Sequence, residues 1–185
     1  MPDTATLAYT AIAGLTFAAL YVGHLAGDHA LQRSEWAVTK GEHSHAGRAA
    51  CAQHVVVLTL AQMVALAVVA LATQQGYLPV AVLAGLAVNA WSHYWFDRRC
   101  TAHGLYAALG KAEFAATGQA PLATGAYRMD QDWHTCWLLP VALIIAAPTL
   151  AHIAVLTTIS AAVMALAITV SRRHRTRTPE AALAA

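Results

Sequence analysis

The sequence predicts an all-α integral membrane protein built as a bundle of about five transmembrane helices. The 185-residue chain is 58% hydrophobic and only 11% charged, whereas a soluble domain is typically about 45–50% apolar and about 25% charged. Long stretches without charge recur at lengths that suit membrane spans, each of which needs about 20 apolar residues. We therefore exclude an ordinary soluble enzyme, a disordered chain and a basic nucleic-acid-binding domain, and we expect the lipid bilayer, not a nucleic acid, as the surroundings.

The spans are placed by the gaps between charged residues. Three uncharged stretches are found, and Gly and Pro residues divide the second and the third of them into two spans each. The predicted spans are residues 4–27, 49–73, 79–97, 130–147 and 149–171. Because the fourth span is short, an arrangement of four spans and a re-entrant segment stays open. We predict one transmembrane domain over residues 1–171, followed by a basic cytoplasmic tail over residues 172–185.

The basic residues orient this arrangement. All eleven Lys and Arg side chains fall on one side of it, in the loop between spans one and two, in the loop between spans three and four, and in the tail. The positive-inside rule makes that side cytoplasmic. We therefore predict a multi-pass protein of the inner (plasma) membrane, with its N-terminus outside and its C-terminus in the cytoplasm.

Four polar segments stand where the spans reach the cytoplasmic side. In three of them a histidine and an aspartate are four residues apart, a spacing that places both side chains on one face of a helix. The orientation does not depend on the histidines, yet it brings all four segments to one membrane depth. The seven residues predicted to converge are His24, Asp28, His54, His93, Asp97, Asp130 and His134.

Histidine and aspartate side chains on facing helices are typical ligands of a divalent metal such as Zn, Fe or Mn. Seven candidates exceed the four ligands of a structural zinc, so either two metals share a carboxylate or some of the seven only orient ligating histidines. Gln32, Asn89 and Gln131 are predicted to support the ligands from a second layer. The alternative interpretation is a hydrogen-bond network that only holds the helices together.

The same segments, taken in order, carry a resemblance to a known family. The run H-L-A-G-D-H-A-L-Q over residues 24–32, with Trp36 and Lys40 after it, resembles the opening of the small bacterial membrane proteins catalogued as domain of unknown function 3307. The later segments also match that family's pattern, which covers roughly residues 20–140. The matching residues are His24, Asp28, Gln32, His54, His93, Asp97, Asp130, Gln131 and His134. Two departures are His29, where the family has an apolar residue, and a longer loop over residues 98–129.

The family resemblance implies a bacterial membrane protein but no activity. Histidines and aspartates at the ends of spans are also similar in pattern to bacterial membrane-bound metal-dependent hydrolases. We therefore expect a metal-dependent hydrolase, in which the metal activates water and a lipid-borne substrate arrives from the leaflet. Two alternatives stay open: a non-catalytic accessory protein, for example in conjugative or phage-related transfer, and a proton-coupled carrier that uses the cluster as a relay.

Overall fold

The computed structural model describes residues 2–118 and 124–175, and over those ranges it contains helices and no strand. The predicted all-α class is therefore confirmed for the described part of the chain. In order, the elements are α1 (Thr4–Leu25), a π-helical turn (Ala26–Ala30), α2 (Ser34–Thr39), α3 (His45–Thr73), α4 (Pro79–Asp97), α5 (Cys100–Ala108), α6 (Ala112–Ala115), α7 (Gly125–Ile145) and α8 (Leu150–Arg175). Helix α8 takes in the first residues of the predicted tail, while residues 176–185 lie outside the described residues.

The five long helices α1, α3, α4, α7 and α8 lie over the five segments predicted as spans. That all five cross the membrane stays a prediction. Their ends agree with the prediction within a few residues, and the largest difference is the start of α7, which was predicted at residue 130. Helix α7 begins at Gly125 because Thr124 caps it, its Oγ1 accepting a hydrogen bond from the Tyr127 amide at 3.2 Å. The sequence prediction had placed this first turn in a loop.

Three of the long helices are long and apolar enough to cross a membrane, namely Thr4–Ala30, His45–Thr73 and Leu150–Arg175. Their outer faces carry large apolar side chains that the rest of the chain leaves exposed, such as Val64 and Leu71 on α3. Exposed apolar surface of this extent is typical of contact with lipid or with a partner. The chain is thus compatible with a multi-pass membrane protein.

The helices alternate in direction, so that their ends form two layers. At one end Tyr9 on α1 donates a hydrogen bond to the Leu143 carbonyl on α7 at 3.1 Å, and Thr16 bonds to Tyr77 at 3.0 Å. The other end, which we call the polar end, gathers the last turns of α1, α4 and α8 and the first turns of α3 and α7. All four polar segments of the sequence lie at this end.

Helices α1 and α3 approach each other closely through two glycines one turn apart. A Cβ atom at Gly23 would lie 2.6 Å from the Gln62 Cα, and one at Gly27 would lie 2.7 Å from the Leu58 Cα. Small residues at this spacing let helix backbones come together in membranes. The contact brings the end of α1 beside the first turns of α3, where the polar cluster is found.

We expect Gly27→Ala to destabilise the protein, because its Cβ has no room beside α3, and overpacking of this kind costs about 1–3 kcal/mol. Gly14→Ala is the matched control, since a Cβ there meets no atom within 4 Å. In a helix interior alanine is favoured over glycine by roughly 0.5–1 kcal/mol, so the control should unfold at the same or a higher temperature. The unfolding temperatures of the two variants are measured in detergent. Equal changes of the unfolding temperature would contradict the close contact at Gly27.

Candidate metal centre

Four side-chain atoms from three helical segments meet at the centre of the polar end. The His54 Nε2 atom lies 3.0 Å from Asp28 Oδ1 and 3.2 Å from Asp97 Oδ2. The His93 Nε2 atom lies 3.6 Å and 3.3 Å from the same two oxygens. The two Nε2 atoms are themselves 3.1 Å apart. Each of the two imidazoles therefore lies close to the other and to both carboxylates.

The distances in this group are those of neighbouring ligands in a metal site. Metal–ligand bonds of about 2.0–2.2 Å, as in tetrahedral zinc sites, place neighbouring ligand atoms about 3.3–3.6 Å apart. The five separations that involve a histidine nitrogen are all between 3.0 and 3.6 Å. The contacts of His54 and His93 thus match the spacing of neighbouring metal ligands.

His134 and Asp130 adjoin this group through α7. The His134 Nε2 atom lies 3.2 Å from Asp130 Oδ1 and 3.6 Å from Asp97 Oδ1, and its ring stacks on His93 with centroids 3.7 Å apart. His93, Asp97 and His134 form a second set with ligand spacing. Since an imidazole Nε2 has a single lone pair, His93 serves one ion only, and the two sets are not independent sites.

The cluster is buried and its polar atoms are incompletely paired. His24, His54, His93, Asp97 and His134 are each exposed by 2% or less. Among the described residues, no hydrogen-bond partner is found for either ring nitrogen of His24, whereas His54 and His134 face cluster carboxylates at 3.0–3.6 Å. A buried polar atom without a partner costs about 1–3 kcal/mol. A bound cation would receive the lone pairs of the unpartnered atoms, and protonated imidazoles that donate to the carboxylates would also give such short distances.

Asp28 reaches the cluster from a π-helical turn that the sequence prediction did not foresee. The Leu31 amide bonds to the Ala26 carbonyl five residues earlier, at 2.9 Å. Wider turns of this kind are rare and are frequently found at functional sites. The turn presents Asp28 to His54 on α3, whereas His29 points to the surface and bonds to the Tyr127 hydroxyl at 2.9 Å.

Two of the three predicted supporting residues contact the cluster. Gln131 donates a hydrogen bond to Asp28 Oδ2 at 2.8 Å and another to Asp130 Oδ2 at 3.2 Å. Gln32 accepts a hydrogen bond from Lys40 at 3.2 Å. Asn89 instead lies one turn deeper, where it donates to Gln62 Oε1 at 2.8 Å and so joins α4 to α3.

The family described as "Protein of unknown function (DUF3307)" matches residues 16–164. The chain belongs to this family. The match confirms the resemblance seen in the sequence, and it contains every residue predicted for the site. No curated protein and no solved structure matches the chain.

In this DUF3307 chain, sequence reasoning missed Lys40 as a member of the cluster. Lys40 follows α2, is only 7% exposed, and places its Nζ 2.8 Å from Asp97 Oδ1. Burial alone would lower the pKa of Lys40, but the charges of Asp97, Asp28 and Asp130 outweigh burial and raise the pKa above its usual value. Lys40 therefore stays protonated. Its place directly after the first family segment was the available signal, but a lysine in a basic loop is ordinarily solvated.

Arg98 holds Lys40 in position. It is buried, its Nη1 donates to the Lys40 carbonyl at 2.7 Å, and its Nη2 donates to the Glu42 carbonyl. The neighbouring Arg99 donates to the Ala37 carbonyl at 2.9 Å. The end of α4 thus fastens the segment between α2 and α3 over the cluster.

Proposed function

We propose that the chain is a membrane protein that binds one divalent metal ion through His54, His93, Asp28 and Asp97. The observation that carries the proposal is the approach of the two imidazoles to each other and to both carboxylates, with five separations of 3.0–3.6 Å. His24, Asp130 and His134 complete the predicted set around this inner group. The donor set of two imidazoles and two carboxylates suits Zn, Fe or Mn.

The charges of the cluster support a single ion. Asp28, Asp97 and Asp130 carry three negative charges. Lys40, whose Nζ lies 2.8 Å from Asp97 Oδ1, neutralises one of them. The two negative charges that remain equal the charge of one divalent cation. Buried charges are tolerated only when they are paired or bound to metal, so an ion gives this group of side chains a balanced charge.

We further propose hydrolysis as the use of the metal. A divalent ion would supply Lewis-acid activation of water and of a phosphoryl or carbonyl group. The chain's own contribution is the His134–Asp130 pair, 3.2 Å apart and beside Asp97, because an imidazole that faces two carboxylates is suited to donate a proton to a leaving group as a general acid. A lipid-borne substrate fits a site at the end of apolar helices.

The second candidate function is a non-catalytic membrane component, and one observation favours it. The Lys40–Asp97 ion pair neutralises a cluster carboxylate without any metal, as a purely structural network would. Metal content decides between the two. Protein purified in detergent without chelators should hold about one ion per chain, or regain it with Zn²⁺, Fe²⁺ or Mn²⁺. A chain that stays metal-free after these additions would contradict the metal centre.

Five spans with the polar end in the cytoplasm complete the proposal. We expect single cysteines at Gln75 and His43, introduced into a cysteine-free background, to react with a membrane-impermeant reagent from opposite sides, with His43 protected in intact cells. The physical reason is the placement of all eleven basic residues on one side. Labelling of both positions from the same side would contradict the five-span arrangement.

A further inference from the structure

Apart from the metal cluster, the polar end contains a cleft between α4, α5 and α8. Its volume is about 450 Å³, within the roughly 300–1,000 Å³ range of small-molecule sites. It uses Trp91 and Trp95 of α4 and Arg98 directly after the helix. The spacing of the two tryptophans places them on one helix face, whereas the metal cluster uses the face of His93 and Asp97. The lining residues are Trp91, Tyr94, Trp95, Arg98, Thr101, Ile168, Ser171, Arg172 and Arg175.

We propose that this cleft binds the phosphate headgroup of an anionic membrane lipid. Of the nine described residues that line it, three are arginines and none is acidic. The guanidinium group matches phosphate oxygens with paired hydrogen bonds. The inference goes beyond the proposed metal chemistry, because the cleft shares no ligand with the cluster.

The arginines have different roles in the cleft. Arg98 already donates to the Lys40 and Glu42 carbonyls. Its contribution to a ligand in the cleft is therefore its positive charge and not a hydrogen bond. Arg175 uses Nη1 in a long 3.4 Å bond to the Cys100 carbonyl, which leaves its other donors for a ligand. Arg172 is exposed at the rim of the cleft. Arg172 and Arg175 are therefore the residues that we assign to the phosphate.

The packing of α5 against α8 fixes the side of the cleft that carries Arg172 and Arg175. The Ser171 hydroxyl donates to the Thr101 carbonyl, one residue before Arg172. Gly104 lies directly against the Ser171 backbone, with no room for a Cβ atom. The cleft is thus built from packed helices, which keeps the arginines close together despite their like charge.

The aromatic and apolar part of the lining points to a lipid and not to free phosphate. Trp91 is 41% exposed, and Trp95 and Ile168 line the same cleft. Tryptophan and tyrosine side chains favour the headgroup level of a bilayer. Helix α8 is apolar until its last turn, which carries the arginines at the polar end. An acyl chain can therefore lie along Ile168 while the headgroup contacts Arg172 and Arg175.

The test is lipid binding to the full chain in detergent, measured by native mass spectrometry with phosphatidylglycerol and with phosphatidylcholine. Each basic residue near a membrane surface contributes about 1 kcal/mol toward anionic lipid, so Arg172→Gln and Arg175→Gln should each weaken phosphatidylglycerol binding about 5-fold, and the double variant about 30-fold. The matched control is Arg48→Gln with Lys111→Gln, which removes two exposed charges from the same end and should leave binding unchanged.

Three results would overturn the proposal. Equal binding of phosphatidylcholine would remove the role of the anionic headgroup, and an equal loss in the control double variant would reduce the effect to general surface charge. If inorganic phosphate displaced the lipid and bound with an affinity equal to that of the lipid, a soluble anion would be the ligand. If the arginine variants do not fold, Trp91→Ala serves instead: it should weaken phosphatidylglycerol binding, and unchanged binding in that variant would contradict the proposal.

Discussion

Replacing His93 with alanine is expected to release the metal from the protein. His93 contacts both carboxylates and His54, so its loss removes three of the five close contacts in the group. Removing a residue that only orients a ligand typically lowers metal affinity 10–100-fold, and removal of the ligand itself should exceed about 100-fold. Metal titration of the detergent-purified variant against a competing chelator measures the change.

Two variants make this result specific. Gln131→Ala removes a side chain that donates to Asp28 Oδ2 at 2.8 Å and not to the Oδ1 atom that faces the histidines. We therefore expect metal affinity to fall by about 10–100-fold. His152→Ala changes a histidine at the opposite end of the bundle, where it bonds to Thr149, and should leave metal affinity unchanged. The expected order is therefore His93→Ala, Gln131→Ala and then His152→Ala.

A purely structural cluster predicts a different outcome. In that case no variant has metal to lose, and His93→Ala costs only the association energy of an interhelical hydrogen bond, about 0.6–2 kcal/mol. The same affinity for metal in wild type and His93→Ala would place the ion elsewhere and contradict the assignment. Thermal unfolding with and without added Zn²⁺ separates the two interpretations, since a ligand that binds only the folded state stabilises it.

The arrangement of the long helices was predictable because it depends on gross features of the sequence. Charge-free stretches marked the five long helices, and the alternation of their direction then grouped the polar segments at one end. His93 and Asp97 also met as expected, since they lie four residues apart in a regular helix and their atoms are 3.3 Å apart. Each of these inferences needs only helix periodicity and length.

The details that complete the cluster depend on tertiary contacts that no local pattern encodes. The π-helical turn at Ala26–Ala30 departs from the regular helix on which the pairing of His24 with Asp28 was argued. Lys40 reaches Asp97 only because Arg98 fastens its backbone. Asn89 pairs with Gln62 from another helix, a contact that spacing along one helix does not reveal.

Asp97→Asn should produce the largest loss of stability. Asp97 faces Lys40 and three histidines, His54, His93 and His134, and it is buried with Lys40. The neutral amide leaves the Lys40 charge buried without its main partner. Breaking a buried pair in this way costs about 3–5 kcal/mol, whereas replacing both partners with uncharged groups is much less destabilising. We therefore expect Lys40→Met combined with Asp97→Asn to recover most of the lost free energy of unfolding when all variants are measured without metal.

The control for this cycle is a second Asp–cation pair in the same chain. Asp132 and Arg128 pair at 3.1 Å on the surface of α7, with side chains 56% and 72% exposed. Exposed pairs contribute about 0–1 kcal/mol, so Asp132→Asn should change the free energy of unfolding little. Denaturation in detergent gives the coupling energy of Lys40 with Asp97 from the two single variants and the double variant. A coupling energy as small as that of the surface pair would mean that Lys40 is not held in the cluster, and the charge balance that supports a single divalent ion would fail with it.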